Sequence, residues 1–101
     1  MLDSKDEALA LLSSQREKIV RNFGVKRIAL FGSVVRNSMN KNSDIDVLVN
    51  FAEPTFDHYF DLKFYLEDMF KQKIDLVCRD SLRPRIRPFI EEEAVDAWSM
   101  D

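Results

Sequence analysis

LFGSVVRNSMNKNSDIDVLV, residues 30–49, joins two apolar strands through a glycine-serine turn and a polar loop. The first strand is KRIALF, residues 26–31, a short apolar run bounded by Gly24 and Gly32. The second is IDVLVNF, residues 45–51, rich in β-branched residues. A short helix is expected from Ser33 to about Met39, followed by the turn-rich loop NSMNKNSD. That connection is too short for an ordinary parallel crossover. An α+β fold follows: a small mixed β-sheet with helices packed mainly on one face.

The flanking sequence fits that frame. Residues 4–22 read as one helix, with Ser4 and Glu7 at capping-box spacing and Leu9, Leu12, Ile19, Val20 and Phe23 on an apolar face. Gly24 is placed to end it as a C-cap. FDHYFDLKFYLEDMF, residues 56–70, reads as a helix with Leu62, Leu66, Met69 and Phe70 inside, together with part of its aromatic set. KIDLVC, residues 73–78, is a third strand. Asp80 or Ser81 can cap a last helix, which Pro84 and Pro88 confine to its N-terminal end. Residues 88–98 carry that helix and a short closing strand.

With 101 residues and no repeat or Gly/Ser-rich linker, residues 1–101 are expected to form one domain. Hydrophobic residues at 46% and charged residues at 33% match a globular chain and argue against disorder. The formal net charge of −3 argues against a non-specific nucleic-acid coat. One cysteine, Cys78, excludes an internal disulfide and favours a reducing, cytoplasmic setting. No secretory leader or membrane span is legible.

The chemistry concentrates in the opening stretch. Asp44 and Asp46 stand two apart at a strand start, so their carboxylates share one face. At a separation of about 5 Å and an effective dielectric of about 20, they repel by roughly 3 kcal/mol. Such a pair needs a cation, a shared proton or full solvation. Hard oxygen ligands in a shallow site suit Mg²⁺, and a single histidine with a single cysteine makes zinc a poor fit. Gly32 lets backbone approach a ligand, Ser33 adds a hydroxyl, and the expected helix start offers free N–H groups to an anion. Arg36 lies one turn further on. Taken alone, a GS pair is an ordinary cap and SDID a polar turn; the combination in order is what points to a phosphate and metal site.

This pattern resembles the nucleotidyltransferase fold of the DNA polymerase beta superfamily, whose signature is a GS pair, a loop and two aspartates flanking one apolar residue. Within it the chain is similar to the minimal nucleotidyltransferases, the MntA-like antitoxins, whose usual form is GS-x-A-R-G followed by SDIDLLV. Val35 stands where a small residue is usual, and Asn37 where glycine is usual. The resemblance implies a third carboxylate, Asp75, which by itself reads as an exposed strand residue. It implies two Mg²⁺ ions held by Asp44, Asp46 and Asp75, with Asp75 available as general base. It implies an ATP site that includes Gly32, Ser33, Arg36 and Ser43. It further implies AMP transfer to a hydroxyl of another protein, a tyrosine of a co-encoded HEPN-type toxin. A binding-only antitoxin with a vestigial site is the alternative that Val35 and Asn37 leave open. An RNA- or aminoglycoside-directed transferase is a third, disfavoured by the short chain and its acidity. Oligomeric state, self-association included, is open.

The remaining residues have bland readings. His58 reads as a solvated helix residue and Cys78 as core. Arg79, Arg83, Arg85 and Arg87 form a basic run suited equally to phosphate or to an acidic partner.

Overall fold

The computed structural model describes residues 5–36 and 44–99. In chain order these form α1 (Lys5–Ser14), α2 (Arg16–Phe23), β1 (Val25–Phe31), β2 (Ile45–Phe51), α3 (Phe56–Phe70), β3 (Ile74–Cys78), α4 (Arg87–Glu93) and β4 (Val95–Ser99). The strands make one mixed sheet in the order β3-β2-β1-β4. β1 runs antiparallel to both β2 and β4, while β2 and β3 are parallel. The short β1–β2 connection thus gives the antiparallel pair that its length demands, and α3 supplies the crossover that a parallel pair needs.

Alternation along the strands divides the sheet into two faces. Ile28 and Leu30 of β1, Ile45, Val47 and Val49 of β2, and Ile74 and Leu76 of β3 enter the main core. There they meet Ala8, Leu12, Ile19 and Phe23 of the first two helices, and Leu62, Leu66 and Phe70 of α3. The opposite face buries the smaller set Ala29, Phe31 and Leu48, covered by Leu82, Ile90 and Ala94 around α4. Three helices therefore lie on one face and the short α4 on the other. No helix of the described residues is long and apolar enough to cross a membrane.

Several expected elements change. The first helix is broken at Gln15, where φ is −105° and ψ is 10°. Ser14 turns its hydroxyl back on the Leu11 carbonyl at 2.7 Å, a bond that competes with helix continuation. Ser4, half of the expected capping box, lies outside the described residues. Gly24 does end α2, at φ 65°, with its N–H on the Val20 carbonyl. The helix expected from Ser33 is a single 3-10 turn, Gly32–Val34, which drops Val34 into the core. Its expected continuation past Arg36 lies outside the described residues. Asp80 and Ser81 belong to their own 3-10 turn and do not cap α4, which begins at Arg87 with Pro88 in its first turn. The closing strand exists as β4, and its Trp98 is buried. On α3, Leu62, Leu66 and Phe70 are buried and Met69, Tyr59 and Tyr65 are partly so, whereas Phe56, Phe60 and Phe64 face solvent.

Candidate active site

Asp46 and Asp75 are direct lateral partners in the parallel β2–β3 register. Both therefore project from the face opposite the main core. Their carboxyls lie close enough to act on one another directly. Burial first, then the charge and hydrogen bond of Asp75, then the charge of Asp44 push the Asp46 carboxyl up to about 6; Arg36 pulls the other way. Asp44, exposed and just ahead of β2, joins the pair electrostatically. Among the described residues no three acidic, histidine or cysteine side chains close into a ready ligand set. The structure thus brings Asp46 and Asp75 together and sets Asp44 beside them as the looser member.

The residues present fit a divalent cation. Carboxylates that repel one another gain from a positive charge between them, and oxygen donors match Mg²⁺.

Gly32 sits against this pair. Its φ is 75°, and a β-carbon there would fall 1.9 Å from Asp46 Oδ2 and 2.9 Å from its Cγ. Both the left-handed backbone and the close approach penalise any other residue. The Gly32 amide is already engaged: it donates to the Glu93 carboxylate, whose other oxygen accepts from Arg36 at 2.8 Å. Local sequence reasoning missed Glu93, which lies 61 residues from Gly32. The one available hint was the acidic run Glu91–Glu93 closing the last helix. Ser33 follows on the same turn, half-buried. Val35 packs against the main core, so its bulk is absorbed away from the carboxylates. Ser43 and Asn37 lie outside the described residues.

The basic run does not act as one cluster. Arg79 pairs with Glu91 at 2.8 Å, and Arg87 donates to the Leu82 carbonyl. Arg83 and Arg85 are exposed. Arg27 lies only 16% exposed between Glu91 and Asp96, both at 2.8 Å. Burial pushes the Glu91 carboxyl up, but Arg79 and Arg27 outweigh it and hold it below the ordinary range. These pairs line a polar cavity of about 430 Å³ with Lys26, Asn50 and Phe51, at the end of the strands away from the aspartates. His58 meets the Glu53 carbonyl at 3.0 Å and has no part in the site. Burial pushes the Cys78 thiol up, the wrong direction for a nucleophile.

Known proteins resemble this chain. The family model of the nucleotidyltransferase domain matches residues 12–97. The protein adenylyltransferase MntA of Thermococcus cleftensis is 34% identical over 91 residues, covering 89% of this chain and 92% of that protein. A toxin–antitoxin crystal structure with AMP-PNP superposes with a TM-score of 0.72 at 23% identity, over 88% of this chain and 74% of that one. The complex of a tri-AMPylated Shewanella oneidensis HEPN toxin with its MNT antitoxin gives 0.65 at 21% identity, over 91% and 73%. The matched span takes in the Gly32 turn, Asp44, Asp46 and Asp75, and the chain belongs to the nucleotidyltransferase domain family, among its minimal, MntA-like protein adenylyltransferases.

Proposed function

We propose that this chain transfers AMP from ATP to a tyrosine hydroxyl of a HEPN-type toxin and so acts as the antitoxin of the pair. The observation that carries this reading is the Asp46–Asp75 register pair, with Gly32 packed onto it without a β-carbon. The tyrosine oxygen attacks the α-phosphorus of ATP. The bond from that phosphorus to the bridging oxygen breaks, and pyrophosphate leaves. Asp75, at the exposed edge of the pair, takes the hydroxyl proton. Asp44, Asp46 and Asp75 would hold Mg²⁺, which when bound supplies charge for the phosphates and lowers the hydroxyl pKa. Ser33 and Arg36 face the triphosphate, and Ser43 adds a hydroxyl from the β1–β2 connection. Gly32 contributes shape, since its amide is used by Glu93.

The relatives named for protein adenylylation, and the AMPylated toxin bound to a fold neighbour, support a protein acceptor. The packing of Val35 against the core favours a working site over a vestigial one.

The test is incubation with labelled ATP, Mg²⁺ and the co-encoded toxin, followed by mass spectrometry of the toxin. Wild type should add AMP to a tyrosine. Asp44→Asn with Asp46→Asn should lose at least about a hundredfold in rate, the scale of removing key transition-state electrostatics. Labelling by the double variant at the wild-type rate would sink the mechanism. Full neutralisation by that variant without labelling would transfer the function to binding alone.

A further inference from the structure

We propose that Glu93 is a positioning residue that holds the Gly32–Ser33 turn and Arg36 in the geometry that receives the triphosphate. The inference rests on the ATP site proposed above. Gly32 is buried, so its N–H needs an acceptor inside the protein. Local backbone supplies none at this end of β1, because the chain leaves the sheet there. The Glu93 carboxylate fills that need with one oxygen and pairs with Arg36 through the other, at 2.8 Å. One side chain therefore bridges the start of the turn and the cation one turn later.

Two features make Glu93 a clamp rather than an occupant that must leave. First, its backbone is fixed. Ala94 follows immediately, with its N–H on the Ile90 carbonyl, and Val95 is in register with Leu30 of β1. Second, the contact uses one nitrogen of Arg36. A guanidinium has five donors, so the remainder stay available to a phosphate. Arg36 is 58% exposed and, untethered, would sample many rotamers. The α4–β4 junction thus sets the aim of a residue 57 positions earlier.

The test is calorimetric titration of the full chain with Mg-ATP, paired with the hydrogen-exchange rate of the Gly32 amide, for wild type, E93Q and E93A. E93A should weaken ATP binding about tenfold, or about 1.4 kcal/mol, and leave the Gly32 amide in fast exchange. E93Q keeps an acceptor for the Gly32 N–H but loses the charge that holds Arg36. It should weaken binding about threefold with the amide still protected. In an Arg36→Ala background, E93Q should have no further effect on ATP binding. Unchanged or tighter binding in either variant overturns the proposal, the tighter outcome marking Glu93 as a competitor of phosphate. If E93A does not fold, E93Q and its Arg36→Ala combination decide. A wild type that binds no ATP would refute the proposed function itself, and Gly32 exchange would then still report whether the clamp exists.

Discussion

Replacing Gly32 by alanine separates shape from chemistry at this site. Two costs add. The residue sits at φ 75°, where a β-carbon costs about 1–2 kcal/mol, partly returned by a stiffer unfolded chain. The new methyl would also lie 1.9 Å from Asp46 Oδ2 and 3.2 Å from Asp46 Cβ. Asp46 must swing off its partner, an overpacking cost of about 1–3 kcal/mol. The sum is about 2–5 kcal/mol before that return and about 1–4 kcal/mol after it, below the roughly 5–15 kcal/mol stability of an ordinary domain. The variant should therefore fold, with a melting temperature lower by roughly 5–30 °C. Gly24→Ala is the control. It shares the left-handed backbone, at φ 65°, but nothing lies within 4 Å of its new methyl. It should cost only about 1 kcal/mol and keep full activity. Calorimetric melting gives the first comparison, and toxin labelling by ATP gives the second. If Gly32→Ala melts with Gly24→Ala and labels normally, Asp46 does not need the room that glycine leaves.

Two further outcomes follow from the charged groups. Asp46 rises from its ordinary value of 3.8 to about 6, so without metal its stabilising contribution is present below about pH 4 and is lost as pH rises through 6. The full shift corresponds to at most about 3 kcal/mol, and about 1–2 kcal/mol after solvent screening at the open mouth. In EDTA, Asp46→Asn should accordingly melt higher than wild type at pH 8, with the gain gone at pH 4. Added Mg²⁺ should raise the wild type and not the variant; equal melting of both across that range would remove the repulsion argument. Glu91 carries the opposite sign. Its carboxyl is held low by Arg79 and Arg27, so its contribution is present above its ordinary range and lost as pH falls through the lowered native value. Glu91→Gln should cost about 1–2 kcal/mol at pH 7, with the gap closing in acid, as denaturant midpoints at the two pH values would register.

Much of this was legible in the chain. β2 begins and ends where its β-branched run does, and α3 spans the residues whose apolar spacing marks it. Asp44 and Asp46 could be paired by spacing alone. Asp75 could not, because only the β2–β3 register sets it beside Asp46, and register across a helical crossover is a tertiary property. Glu93 was hidden for the same reason. Its side chain reads as the polar end of a helix until β4 pairs with β1 and carries it to the Gly32 amide. The break at Gln15 came from a local competition, the Ser14 hydroxyl against the helix ladder, which periodicity does not weigh. The basic run was misleading as a unit, because Glu91 of α4 claims Arg79 while Arg83 and Arg85 stay in solvent.

β3 lies at the edge of the sheet, attached to it through β2 alone. Asp75 is therefore carried by an edge strand with one lateral neighbour. The single seam that joins this strand to the sheet is the one that gathers like charge. A cation shared by Asp46 and Asp75 would act as a rivet across that seam, fastening the margin of the sheet while it prepares the chemistry. Mechanical integrity at this edge and readiness for phosphate would then rise and fall together, with the ion as their common switch.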